Sequence, residues 1–338
     1  MLKIAPVFDP LLNCYENLIA TVCEFWEIDH KYLYSGSWGF HHNFNQTQYE
    51  LRKDIERSQF SFHTSHMMQE SYVSLGYRIH PLPFFHHLES YLGLGIQAER
   101  TRSTSHVVAL SEEYTSSGTP LGITFDGFWC PWHPMYQKRE IEHFVLVSGL
   151  TPDGLLIIVD PMFPVDVQFV NPVELEHQAC IDVIKFSKRG PGEMDWLDVL
   201  SVCLANIRST DSIVSMRAFA HELEHSNDIA CEFSLFPNFE LHELFIQLRM
   251  IHNNRLRFSI YLAWLAEQHR IPELAEMSRL ILSSAEQWDV IKNAFVKASF
   301  LKDPQPAVKK LSWRVLEAAR LEDAAADELE RIVHGDRR

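Results

Sequence analysis

Three residues far apart in this 338-residue chain could together make a nucleophile and its base: Cys14, His143 and Asp160. Cys14 follows Asp9-Pro10 and the cap-type residue Asn13, where a helix should begin. A cysteine there has its thiolate favoured by free backbone N–H groups and by the helix dipole. The same N–H groups can hold the oxyanion of a tetrahedral intermediate, with the side chain of Asn13, or of Asn17, as a further donor. Taken alone, such a cysteine is more often a capping-turn residue without chemistry. His143 and Asp160 change that balance. His143 opens the run HFVLVSGL (143–150), and Asp160 closes LLIIVD (155–160). Between them Thr151-Pro152-Asp153-Gly154 spells a turn. In a hairpin pivoting on that turn, positions whose numbers add to roughly 305 lie opposite one another. His143 and Asp160 therefore fall close together, and a carboxylate so placed orients the imidazole and stabilises its charged form.

The elements that must position these residues have two kinds of periodicity. Residues 14–26, CYENLIATVCEFW, repeat apolar side chains at helical spacing through Leu18, Val22 and Phe25. GITFDGF (122–128), HFVLVSGL (143–150), LLIIVDP (155–161) and VDVQFV (165–170) are short, β-branched or aromatic, and bounded by Gly, Pro and Asp, as strands are. After RGPGEMD (189–195), a linker by composition, long helical periods follow at 243–269 and 271–300, and the alanine- and glutamate-rich end is helical by propensity. The expected class is α+β: a first domain at 1–190 with an antiparallel sheet and a nucleophile-bearing helix, then an all-α domain at 191–338.

Composition narrows the function classes. Hydrophobic residues at 46% against 22% charged fit a globular chain with a substantial core. A net charge of −15 repels phosphate and argues against nucleic acid as a partner. No run approaches the ~18 apolar residues of a membrane helix, and the N-terminus lacks a signal-peptide pattern. The six cysteines are scattered without a CxxC pair, which argues for reduced thiols and a cytoplasmic location.

The chain resembles the butirosin biosynthesis protein H-like family, acyltransferases related to papain-like and C39-type cysteine peptidases. The stretches that carry the resemblance are NCYENLIATVCEF, YSGSWGF, DGFWCPWHPMY, EHFVLVSGL and IIVDP, with AEQWDVIKNAF in the helical half similar to the family's companion domain. The resemblance implies a papain-like first domain and a cofactor-free transfer of an acyl or peptidyl group. The donor would be a carrier-protein thioester and the acceptor an amine-bearing small molecule, in specialised-metabolite biosynthesis such as that of antibiotics. Cys14 would become acylated, His143 would shuttle the proton and Asp160 would hold His143. Asp126, Trp129, Trp132 and Tyr136 match the segment that precedes the family's histidine, and with Trp38 they are candidates to line the substrate site. The same triad could instead hydrolyse or cyclise the acyl group, and a papain-like domain that has lost turnover would be a binding protein. A catalytic Cys14 should alkylate well below pH 8.5.

A competing motif is His221-Glu222-Leu223-Glu224-His225, which spells the zinc-binding HExxH. On that helix Met216, Phe219, Ala220 and Leu223 form the apolar stripe, so both histidines should project from the polar face, where a catalytic zinc lacks a shielded cavity. No metal is expected. The groups His41-His42, His63 with His66, and His86-His87 offer no matching ligand set.

Overall fold

The computed structural model describes residues 1–44, 60–63, 83–163, 166–190, 192, 194–209, 211–225, 233 and 243–335. His66 and Cys231 lie outside them, as do the side chains of His41, His42, His63, His86 and His87. Strands β1 (His41–Phe44) and β2 (Phe60–His63) form one antiparallel pair. Six more strands, β3 (Leu94–Thr101), β4 (Leu121–Thr124), β5 (Phe144–Leu150), β6 (Leu156–Val159), β7 (Gln168–Val170) and β8 (Ile181–Lys188), form one antiparallel sheet in the order β3-β8-β4-β5-β6-β7. With the helices of the C-terminal part, the chain is α+β. Among the described residues no helix is long and apolar enough to cross a membrane.

The chain divides into two compact units, Met1–Leu33 with Gly76–Met194, and Tyr34–Leu75 with Asp195–Arg338. In the first, helix α1 (Cys14–Phe25) starts with a reciprocal cap. The Asn13 side chain accepts the Glu16 N–H at 2.9 Å, and the Glu16 carboxylate accepts the Asn13 N–H at 2.8 Å. Leu18, Ile19, Val22 and Cys23 are wholly buried on α1. The close approach of α1 to the sheet depends on Gly122 of β4. A Cβ there would stand 3.3 Å from Leu18 Cδ1 and 2.9 Å from Ile184 Cβ. The other side chains of β4 and β5, Leu121, Ile123, Val145 and Val147, pack with Val107 and Leu110 of the helix Thr104–Ser116. Alternation along the strands thus puts α1 and that helix on opposite sheet faces. Each such apolar side chain contributes about 1.5–3 kcal/mol on burial.

The hairpin forms on the expected turn, with Thr151 N–H donating to the Leu155 carbonyl at 2.9 Å. Leu146 pairs with Val159 and Val147 with Ile158, and a bulge follows before Gly149. The observed strands are shorter than their sequence runs: β4 stops at Thr124, and β7 holds only residues 168–170.

The change of unit at Met194/Asp195 lies next to the expected boundary at 190, but the second unit also takes in the segment Tyr34–Leu75, which that boundary assigns to the first domain. The cause is a buried polar knot. Arg255, on the helix Glu243–His269, bonds Glu322, on the helix Ser312–Gly335, through Nε and Nη2 at 3.0 Å each. Its Nη1 donates to the Gly39 carbonyl at 2.8 Å, while Glu322 also accepts from Ser284 Oγ at 2.6 Å and Trp38 Nε1 at 2.9 Å. Phe40 packs beside it against Phe219 and Trp288.

Candidate active site

Asp160 stands at the end of β6 and His143 just before β5. Continuing the ladder, they are diagonal neighbours, and His143 Nε2 meets Asp160 Oδ2 at 2.7 Å. Trp132 Nε1 donates to the same carboxylate oxygen at 2.7 Å, and Oδ1 accepts the backbone N–H groups of Met162 and Phe163 at 2.9 and 3.0 Å. Burial alone would raise the Asp160 carboxyl. The hydrogen bonds and charge of His143, with the bond from Trp132, outweigh it and hold the group below the usual carboxylate range. A carboxylate can only accept, so Nε2 of His143 carries the proton and Nδ1 keeps the lone pair of a base.

Cys14 is the first residue of α1 and half-buried. Burial pushes its thiol up to about 11; hydrogen bonds with the backbone at Phe144 and Tyr15 pull the other way, and the charges of Glu142 and Asp160 add to the rise. Desolvation thus outweighs the backbone hydrogen bonds and works against a thiolate at the helix start. The bond with Phe144 sets Cys14 beside the residue that follows His143, and the Tyr15 ring lies 4.8 Å from that of Phe144. No hydrogen bond joins the thiol to the His143 ring in these described residues.

The remaining candidates divide by what they touch. Trp132 belongs to the site through its bond to Asp160. Asp126 pins a loop instead: its Oδ1 accepts from Phe128 N–H at 2.8 Å and from Ile141 N–H at 3.1 Å. The Trp129 ring stacks on His177 at 4.3 Å and packs against the core. Tyr136 is half-buried, its N–H donating to the His133 carbonyl at 2.9 Å. Trp38 is part of the buried knot of the second unit, its Nε1 donating to Glu322. Asn13 spends its side-chain oxygen on the cap, which leaves its amide nitrogen as the group with donor capacity. Asn17 is a structural tie and not an oxyanion donor. Its amide donates to the carbonyls of Asp9, Leu12 and Asn13 at 3.0–3.1 Å, and its oxygen accepts the Asp9 N–H at 2.7 Å.

Sequence reasoning passed over His133 and Phe163. Their rings and that of His143 form a triangle, with centroids 4.8 Å (His133–His143), 4.8 Å (His133–Phe163) and 5.4 Å (His143–Phe163) apart. A histidine ten residues before the candidate base, between two prolines that hold its loop, was the signal available.

Two groups bear on metals. His221 and His225 stand on the exposed face of the helix Ser212–His225, stacked at 4.0 Å, with His225 Nδ1 on the His221 carbonyl at 2.8 Å. Among the described residues Glu24, Asp29 and His30 also approach one another closely enough for a shared ion. That cluster is already bonded internally: His30 Nδ1 to Glu24 at 2.8 Å, and Lys31 Nζ to Asp29 at 3.2 Å. No family model matches the sequence, and no curated protein sequence does.

Proposed function

We propose that the first unit is a papain-like cysteine acyltransferase, as its sequence resemblance to the butirosin biosynthesis protein H-like family implies. The observation that carries the proposal is the buried His143–Asp160 bond through Nε2, which leaves Nδ1 basic beside the strand start that holds Cys14. Since the resting thiol is protonated, His143 takes its proton as sulfur attacks the donor thioester, instead of storing a preformed ion pair. The oxyanion would be met by the Cys14 N–H and the Asn13 amide. The carrier thiol leaves with the proton from His143, giving acyl-Cys14. An amine then attacks, His143 takes its proton, and the Cys14 sulfur leaves and is reprotonated. Water in place of the amine would give hydrolysis, and an internal nucleophile cyclisation. The partners on this reading are an acyl or peptidyl carrier protein and an amine-bearing small molecule, in a reducing, cytoplasmic setting and without a cofactor.

A second reading, a binding protein without turnover, is favoured by one observation: among the described residues no hydrogen bond joins the buried Cys14 thiol to the His143 imidazole. Intact-protein mass spectrometry separates the two. Wild type and Cys14→Ala are mixed with a panel of acyl thioesters of N-acetylcysteamine and pantetheine. An acyl mass on wild type alone supports the acyltransferase. No adduct from any donor would sink it and leave the binding role.

A further inference from the structure

His133 is only 8% exposed, and its ring is pressed between His143, Phe163 and the backbone of Gly127. A Cβ on Gly127 would stand 2.8 Å from His133 Nδ1, so glycine is required for this approach. Nδ1 accepts the Met135 N–H at 3.0 Å, which fixes the neutral Nε2–H tautomer and latches the loop that leads into β5. We propose that His133 is a positioning residue for His143: its uncharged ring keeps the imidazole turned edge-on to Asp160 and dry, and the site works only while His133 is neutral. This rests on the acyltransferase reading above.

The charged and titratable groups that face His133 are His143, Asp160 and Asp126. Burial first, and the His143 charge second, lower its proton affinity, against the opposing pull of Asp160 and Asp126. Protonation would place a second cation 4.8 Å from the imidazolium that His143 becomes during transfer, and would break the Met135 latch. Transfer needs the positive charge on His143 alone, so a proton on His133 disables the site.

The test compares full-length wild type, His133→Asn and His133→Phe. Asn keeps an acceptor where Nδ1 was and loses the ring; Phe keeps the ring and loses the acceptor and the titration. Single-turnover acylation of Cys14 by butyryl-N-acetylcysteamine is followed by intact mass from pH 5 to 9, with thermal melts as the control for folding. At pH 7.5 we expect Asn to acylate about tenfold or more slowly and Phe within about threefold of wild type. The acid limb of wild type should steepen toward two protons, whereas that of Phe stays at one. Superimposed profiles for all three proteins, or an active Asn variant beside an inactive Phe variant, would overturn the inference while leaving the acyltransferase intact. No acylation of wild type would overturn both.

Discussion

His143 Nε2 and Asp160 Oδ2 lie 2.7 Å apart, with the two residues only 1% and 2% exposed, across the start of one strand and the end of the next. Replacing Asp160 by Ala would leave four donors without their acceptor: His143, Trp132 and the N–H groups of Met162 and Phe163. We expect a loss of about 3–5 kcal/mol in chemical denaturation. Asp160→Asn keeps the shape but not the charge or the enforced tautomer, and Cys14 acylation should fall about 10²–10⁴-fold. The folded carboxyl is depressed, so its contribution to stability is complete above the ordinary carboxylate range and is lost as pH falls below about 4. Melts of wild type should therefore drop more steeply below pH 4 than those of Asp160→Asn. Parallel curves would mean that the pair does not stabilise the fold.

The hairpin and its His/Asp diagonal were legible because a turn tetrapeptide and two β-branched runs fix register locally. The start of α1 was legible too, from Asp9-Pro10 and the cap residue Asn13, while the reciprocal bond from Glu16 emerges only in the structure. Strand β3, LGIQAERT, was not read: its second half is polar on both faces, with Gln97 and Arg100 exposed, so no apolar alternation marks it. The place of Trp38 was hidden for another reason. Its partner Glu322 is 284 positions away and reads in sequence as one more carboxylate on an acidic helix. The protonated state of Cys14 depends on how deeply the thiol is covered, which no local pattern encodes.

His30 ties the approach to Cys14 together. Its Nε2 faces Asp9 Oδ2 at 3.7 Å and its Nδ1 meets Glu24 Oε1 at 2.8 Å. Asp9 in turn caps the turn at Leu11 and Leu12 that leads into α1. Asp9 first, against the opposing effect of burial and with help from Glu24, raises the imidazole above its ordinary value. A raised histidine gives its full stability below about pH 6.5, and that share is lost as pH rises through the folded value. Melting temperatures of wild type should therefore decline from pH 6 toward 8, and His30→Gln should flatten the decline. An unchanged slope in the variant would assign the pH dependence elsewhere.

In the second unit, Arg255 and Glu322 are wholly buried and joined by two hydrogen bonds. Removing one partner strands the other charge, so Glu322→Leu or Arg255→Met alone should cost about 3–5 kcal/mol. The double variant should recover much of that loss, because the desolvation of both charges disappears with them. Trp38→Phe removes one donor to a charged acceptor and should cost about 1.5–3 kcal/mol. Urea denaturation checks all four proteins. A double variant as unstable as the sum of the singles would show that the knot does not act as a coupled pair.

Asn13 holds two roles that one substitution can separate. Its side-chain oxygen caps α1 through Glu16, while its amide nitrogen is the donor proposed for the oxyanion. Ser caps a helix about as well as Asn and offers no amide, so Asn13→Ser should leave stability within about 0.5 kcal/mol. Acylation of Cys14 by a small thioester should nonetheless slow about 10²–10³-fold if that amide meets the developing negative charge. Asn13→Ala should lose both, with about 1 kcal/mol of stability gone as well. If Asn13→Ser acylates at the wild-type rate, Asn13 is a cap only. The oxyanion would then rely on the Cys14 N–H, which as the first residue of α1 has no helical carbonyl to bond.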